Sequence, residues 1–375
     1  MMSEMINGVE FEYYDEDLIS TELRSGARFP NVGLGTWNAF APFSDKDVEL
    51  AVVEALTMGY RLIDCSPTHL NEKAIGKALR QIWTMNSWTT ITRDDIFIVS
   101  KLPPTGNRPG GVAKHLNQTL KDLQLDYLDL YLIEAPWTFE EDGEKLIPTN
   151  EDGEVKLDMN TDNIATWREM EKQVDLGKVR AIGLSNFEYS QVMEIDRASR
   201  IPISVIQMEM HAYFQPDADH LDKYREMGIK VMACCPLGSP GLAKFTGKPE
   251  EFSNPMNDPT VKKIADKYDK TPARVLLRFL IQKGVSVIPK SYDKDRLYEN
   301  SDDYFDWELE CSDIEELDAL NKGPNGRVLD FVSFFKGIEK HPQFQFQINK
   351  KTEEEIEDEN EDEIEYYIEE DGYFE

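Results

Sequence analysis

Eight short apolar runs recur along this chain of 375 residues, and a helical pattern follows each of them. The runs are Val32–Trp37, Arg61–Cys65, Ile96–Lys101, Leu128–Ile133, Val179–Leu184, Ser204–Met208, Lys230–Cys235 and Val285–Lys290. Strand and helix in strict alternation imply parallel strands joined by right-handed crossovers. The first intervening segment shows the helical signal clearly. Apolar residues at Val48, Ala51, Val52, Ala55 and Leu56 fall on one face of a helix. Ser44 with Asp47 supplies an N-terminal cap, and Gly59 a terminating glycine. Eight such units predict an α/β fold, a (β/α)8 TIM barrel, with an open doubly wound sheet as the alternative. Length alone would suggest two or three domains, but barrels of this kind fill about 250 to 350 residues as one. The predicted organisation is an N-terminal extension over 1–25, the barrel over 26–347 and an acidic tail over 348–375.

Charge narrows the partners. The formal net charge is −31, and residues 352–375 hold fourteen Asp and Glu with no Lys or Arg, so the rest of the chain still carries −17. Nucleic acid and anionic membranes are poor partners for such a surface. The tail is too charged to bury a core and predicts a disordered, solvated segment. A sharper reading makes it a docking strip for a basic protein partner, with Ile364, Tyr366, Tyr367 and Ile368 as apolar anchors. No run of 18 apolar residues exists to span a membrane. The acidic start predicts no secretory signal. The four cysteines, Cys65, Cys234, Cys235 and Cys311, form no disulfide framework or CxxC pair. These features predict a cytoplasmic protein, taken as a monomer. The scattered His115, His211, His220 and His341 predict no metal site.

Polar residues gather where the strands end. Asp64, Lys101, Glu134, Ser185 with Asn186, Gln207, Cys234, and Lys290 with Ser291 lie in or at the ends of seven successive strands. In a closed barrel they would converge on one mouth, the face that carries active sites. Long connections over 137–162 and 237–257 also follow strand ends, and predict a covered groove.

The motifs resemble the aldo-keto reductase family from about Gly26 to Arg327. The matching segments are VGLGTW at Val32–Trp37, GYRLIDC at Gly59–Cys65, NEKAIGKAL at Asn71–Leu79 and IFIVSKL at Ile96–Leu102. LDYLDLYLI at Leu125–Ile133, GKVRAIGLSNF at Gly177–Phe187, PLGSP at Pro236–Pro240 and VIPKS at Val287–Ser291 continue the series. The resemblance implies an NADPH-dependent barrel that reduces aldehyde or ketone carbonyls with an Asp, Tyr, Lys and His. Hydride passes to the carbonyl carbon, and the Tyr, tuned by the Lys–Asp pair, protonates the oxygen. Here Asp64 and Lys101 match. His69 stands at the Tyr position, and Glu134 at the His position, followed by Ala135 where the family has Trp. Three readings stay open. His69 is a working acid, held as imidazolium opposite Glu134; or Glu134 is itself the protonated acid, as in steroid double-bond reductases of the family; or the site only binds NADPH, as a sensor or scaffold.

Neither GxGxxG nor GxxxxGK[ST] occurs in the chain. The resemblance instead places the cofactor's 2′-phosphate on Lys290, Ser291 and Arg296, and its adenine on Glu299 and Asn300. Ser185, Asn186 and Gln207 match the carboxamide contacts. Gly35, Thr36, Trp37, Asp64, Cys234, Pro236, Leu237 and Ser239 complete the expected groove. Two departures stand out: Asp293 puts a carboxylate near the phosphate, and Cys234 replaces a Tyr that stacks on the nicotinamide. Cys235 follows it, and the pair reads as small apolar packing or as redox-reactive thiols. Residues 322–347, with Asn325, Arg327, Phe331, Phe334, Phe335 and Phe344, should fold over the mouth and suit a bulky apolar carbonyl.

Overall fold

All eight apolar runs become parallel strands. In chain order they are β1 (Leu34–Gly35), β2 (Leu62–Asp64), β3 (Phe97–Leu102), β4 (Leu128–Ile133), β5 (Val179–Ser185), β6 (Val205–Glu209), β7 (Lys230–Cys234) and β8 (Ser286–Val287). Each pairs with its neighbour in sequence. Hydrogen bonds from Val287 N to Asn31 O (2.8 Å), Gly33 N to Val287 O (2.9 Å) and Gly35 N to Pro289 O (3.1 Å) then join β8 to the β1 segment. The sheet is therefore a closed barrel, and the open-sheet alternative falls. The computed structural model describes residues 2–6, 9–13, 19–37, 44–84, 90–245, 254–301 and 306–346.

Side-chain alternation along the strands divides the interior into two layers. Leu62, Val99, Leu130, Leu132, Ala181, Val205, Met232 and Ile288 meet inside the barrel. Leu34, Ile63, Ile98, Tyr131, Ile133, Ile182, Leu184, Ile206 and Ala233 face outward and pack with the helices. Gly35 belongs to the inner set, where a Cβ would lie 2.6 Å from Ile288 O. Only glycine lets β1 approach β8 this closely.

Helices separate the strands: α1 (Asp45–Thr57), α2 (Glu72–Thr84), α3 (Pro109–Leu123), α4 (Asn163–Asp175), α5 (Tyr189–Ala198), α6 (Ala218–Glu226), α7 (Pro259–Tyr268) and α8 (Pro272–Gln282). Their starts follow capping chemistry. Ser44 Oγ accepts from Asp47 N (3.3 Å), and Asp47 Oδ2 accepts from Ser44 N (2.9 Å), the reciprocal box read from the sequence. Val48, Ala51, Val52, Ala55 and Leu56 of α1 are all buried. Gly59, at φ +107°, turns the chain into β2. Among the described residues no helix is long and apolar enough to cross a membrane.

An antiparallel hairpin of Ser20–Glu22 with Arg28–Pro30 closes the amino end. Its Leu23 and Phe29 enter the inner core, and Phe29 meets Phe97 edge-on at 5.0 Å. The boundary expected at residue 25 runs through this hairpin. Further upstream, Met2–Ile6 pairs antiparallel with Val9–Tyr13.

The chain divides into two units, Met1–Gln345 and Phe346–Glu375. The acidic tail of 348–375, with its expected disorder and partner, lies outside the described residues. At the carboxyl end, the connection after β4 carries antiparallel bridges Phe139↔Leu157 and Thr149↔Val155. The one after β7 bends through left-handed Cys235 (φ +52°), Gly238 (+71°) and Ser239 (+45°) before a short helix, Pro240–Phe245.

Candidate active site

The alternation that fills the barrel also aims its polar residues. Asp64 follows Leu62 on the inner face, Lys101 follows Val99, Glu134 follows Leu132, Gln207 follows Val205, and Cys234 follows Met232. Each therefore belongs to the inner face at the carboxyl end. Lys101 is buried and donates from Nζ to both oxygens of Asp64 (2.8 Å each) and to Cys65 O (2.9 Å). All three ammonium protons are thus committed. Gln207 Nε2 donates to Asp64 Oδ1 (2.7 Å), and Ser185 Oγ donates to Gln207 Oε1 (3.3 Å). One buried network thus ties together β2, β3, β5 and β6. A buried ion pair is tolerated only when its remaining bonds are made, as these are.

His69 closes the 3₁₀ turn Pro67–His69, which Ser66 caps by accepting from Thr68 N at 3.1 Å. Its Nδ1 lies 2.9 Å from Thr36 Oγ1, and Thr36 Oγ1 donates to Asp64 O at 2.8 Å. Thr36 is fully buried and has one hydroxyl proton, which the carbonyl takes. His69 Nδ1 must then donate, leaving Nε2 with its lone pair in the neutral ring. Burial, and then the charge of Lys101, hold the imidazole well below its ordinary pKa. The side chain is neutral at physiological pH.

Glu134 stands at the end of β4. Its Oε1 accepts from Ser66 Oγ (2.8 Å) and Thr68 Oγ1 (2.5 Å), while Oε2 is buried without a partner. Burial raises its pKa above the ordinary carboxylate value, against the pull of Lys101, Thr68 and Ser66. The imidazolium–carboxylate pair of the first reading is not formed: His69 bonds Thr36, and Glu134 bonds the turn that precedes His69. Nothing in the sequence marks Ser66 and Thr68; only the turn geometry brings their hydroxyls to the carboxyl. Asn186, left-handed at φ +59°, donates from Nδ2 to Glu134 O at 3.0 Å.

The segment after β8 leads into α9 (Lys294–Ser301). Lys290 is exposed, with Nζ 4.8 Å from the Tyr292 ring, and Tyr292 Oη donates to Thr36 O at 3.2 Å. Among the described residues, the exposed guanidinium of Arg296 has no hydrogen-bond or ion-pair partner. Asp293 is occupied: its Oδ1 accepts from Arg296 N (3.0 Å) at the first turn of α9, and its own N donates to Ser291 Oγ (3.0 Å). The carboxylate that looked hostile to a phosphate is thus partly satisfied as a helix cap. Glu299 accepts from Thr271 Oγ1, and Asn300 is buried. An uncommitted guanidinium, a lysine and a hydroxyl at a helix N-terminus fit a phosphate monoester. Cys234 is partly exposed at the end of β7; a hydrogen bond with Cys235, and then burial, keep its thiol protonated. Pro236, Leu237 and Ser239 line the bend that follows it.

Aromatic rings build the wall. Trp137 meets Phe331 (5.1 Å) and Phe344 (5.7 Å), Phe139 meets Phe335 (5.4 Å), and Trp37 meets Phe334 (6.0 Å). The C-terminal segment is pinned by Glu209, which accepts from Val328 N (2.6 Å) and Leu329 N (2.9 Å) and pairs with His211 Nε2 (3.0 Å). The sequence gives no sign of this role for Glu209, because its partners lie some 120 residues away.

Comparison with known proteins agrees with this architecture. Residues 31–322 match the model of the Aldo/keto reductase family. Aldo-keto reductase family 1 member A1-A of Danio rerio is 38% identical over 327 residues, covering 86% of this chain and 97% of that protein. Aldo-keto reductase family 1 member A1 of Gallus gallus is 38% identical over 80% of this chain and 88% of its own length. The solved structure of the aldose reductase from Schistosoma japonicum superposes with a TM-score of 0.76 at 36% identity, covering 88% of this chain and 99% of that one. With the barrel, its mouth and these relatives in agreement, the chain belongs to the aldo/keto reductase family of nicotinamide-dependent oxidoreductases.

Proposed function

We propose that this protein reduces aldehyde and ketone carbonyls with NADPH, and that Glu134 supplies the proton. The observation that carries the reading is the carboxyl of Glu134: Oε1 holds two hydroxyls, while Oε2 is buried and unpartnered. Oε2 is covered in the structure as it stands, so the carboxyl must turn toward a carbonyl bound at the mouth before its proton passes to the carbonyl oxygen. Burial raises its pKa above the ordinary carboxylate value, which favours the acid form that a proton donor needs. His69 is the weaker candidate, because its neutral ring carries its one proton on Nδ1, turned toward Thr36.

NADPH, when bound, supplies the hydride. Lys290, Ser291 and Arg296 would hold its 2′-phosphate, and Ser185, Asn186 and Gln207 its carboxamide. Lys101, fixed by Asp64 and Cys65 O, places a positive charge near the position where negative charge develops on the carbonyl oxygen. After the proton leaves, Ser66 and Thr68 hydrogen-bond the Glu134 carboxylate and Lys101 attracts it; solvent restores the proton as product departs. The rings of Trp137, Phe331, Phe335 and Phe344 exclude water and suit an apolar substrate. A titration following nicotinamide fluorescence, and then a carbonyl screen read by NADPH oxidation and alcohol formation, tests the proposal. Alcohol formed in step with oxidised cofactor supports it. Binding without turnover across aldehydes and ketones would leave a cofactor-binding scaffold instead.

A further inference from the structure

The C-terminal segment carries three of the wall's rings, Phe331, Phe335 and Phe344, and it is fastened to the connection after β4 at several points. Val155 N donates to Lys336 O (2.9 Å), and Lys340 pairs with Glu154 (2.6 Å). Gln191 of α5 donates from Nε2 to Gln343 O (3.0 Å) and Gln343 Oε1 (3.1 Å). His341 lies between these contacts in the chain, with only 2% of its surface exposed. Its Nδ1 accepts from Gln343 N at 3.1 Å. Nδ1 therefore bears the lone pair, and Nε2 bears the proton, facing Asp158 O (3.0 Å) and Thr161 Oγ1 (3.1 Å). A second backbone N–H, that of Thr138, points at Nε2 from 3.4 Å.

These surroundings suit the neutral ring and oppose imidazolium. A proton on Nδ1 would meet the Gln343 N–H head-on, two donors with no acceptor between them. Among the described residues no carboxylate bonds the ring. The charged groups on the elements around it are Asp158, paired with Arg108 at the start of α3 (3.3 Å); Glu154, paired with Lys340; Glu339; and Asp162, whose Oδ1 caps α4 by accepting from Ala165 N (2.8 Å). Asp158 favours the charged ring, but burial outweighs it, so the imidazole stays below its ordinary pKa. A cleft of about 230 Å3 lined by Thr161, Gln191 and Gln343 opens beside the same contacts, which gives water a way to them.

We infer that His341 is an acid-sensitive latch, which holds the aromatic C-terminal segment against the connection after β4 while its ring is neutral and releases it on protonation. The latch acts on the wall and not on the reacting atoms, so its test is independent of the reductase reading. A histidine whose folded pKa is lowered gives its full stabilisation above the unfolded value, about 6.5, and loses it as pH falls toward the folded one. In the released segment the ring titrates as in an unfolded chain. The equilibrium constant for opening therefore rises by up to about tenfold per pH unit below about 6.5.

Hydrogen exchange of the full chain, read by mass spectrometry at about pH 7.5, 6.5 and 5.5 and corrected for the intrinsic pH dependence of amide exchange, tests the latch. Peptides covering Phe331–Phe344 should lose several-fold of their protection between about pH 6.5 and 5.5, with about tenfold as the ceiling for one proton per opening. Peptides from β4 should keep theirs, because Glu72 makes the barrel more stable as pH falls over this range. His341→Asn leaves an oxygen where Nδ1 accepts from Gln343 N but takes up no proton, so the acid-induced loss should vanish in that variant. The ¹⁵N NMR spectrum of the histidine-labelled wild type gives a second reading that needs no variant. Nδ1 should be unprotonated at about pH 7.5 and gain its proton over the window in which the segment opens. Level protection of the segment across the range, a loss that persists in His341→Asn, an equal loss from β4, or an Nδ1 already protonated at about pH 7.5 would each overturn the latch. Carbonyl turnover, present or absent, bears on none of these readings.

Discussion

Replacing Glu134 by Gln separates the proton from everything else this side chain does. The amide oxygen still accepts from Ser66 Oγ and Thr68 Oγ1, now at 2.8 and 2.5 Å from Oε1. The amide nitrogen takes the place of the unpartnered Oε2 and still donates a hydrogen bond, but it has no transferable proton. The expected loss is therefore that of general acid catalysis alone, about 10²–10⁴-fold in kcat, or about 3–5 kcal/mol of barrel-mouth transition-state stabilisation at 1.36 kcal/mol per decade. Cofactor affinity should be unchanged within about twofold, because Lys290, Ser291 and Arg296 are untouched. The pH profile supplies the second readout. An acid must be protonated to act, so wild-type kcat falls as pH rises through the raised pKa of Glu134, and the Gln variant loses that limb. Stability moves the other way. A carboxyl whose folded pKa lies above its unfolded one favours the fold below the unfolded pKa and loses that contribution as pH rises through the folded pKa. Glu134→Gln should thus be less active yet, above that pH, more stable than wild type. Rates over pH 5–9 with alcohol quantified, alongside urea melts at the same pH values, read both effects. A variant retaining wild-type kcat and its pH limb would refute the assignment.

Two further outcomes follow from the same structure. Arg296→Ala should weaken NADPH binding by about tenfold or more, the scale of a hydrogen bond to a charged group, and leave NADH binding nearly unchanged; competitive titration of the two cofactors checks this. Glu72, buried behind the mouth, accepts from Ser100 Oγ (2.7 Å) and Thr119 Oγ1 (3.1 Å), and burial raises its pKa from 4.5 to about 7. Ionising it inside the fold costs on the order of 3 kcal/mol, so stability should decline between about pH 5 and 8 as that contribution is lost, and Glu72→Gln should flatten the decline in chemical denaturation.

Much of this fold is visible in the sequence because each strand repeats the same local pattern. The parity that makes Val99 inward also makes Lys101 inward, so strand ends reveal a mouth before any coordinates exist. Ser44 with Asp47 announces α1 because capping is local chemistry over four residues. What stays hidden depends on distance along the chain. The Thr36–His69 bond spans 33 residues, and the Thr68–Glu134 bond spans 66; nothing in the spacing of either pair suggests a meeting. His69 and Glu134 are therefore visible as coupled substitutions, yet the division of labour between them depends on which hydroxyl faces which atom. The Asp293 carboxylate shows the same limit, since its helix-capping role appears only once α9 is in place.

Isotope transfer measures hydride delivery to a carbonyl carbon directly. NADPH carrying deuterium at the transferable position of the nicotinamide is mixed with excess protein and an apolar aldehyde or ketone, and the alcohol is examined by mass spectrometry and NMR. One deuterium is expected on the new carbinol carbon for each cofactor oxidised. Recovery of the cofactor still reduced and the ketone unchanged, with the complex demonstrably formed, would contradict it.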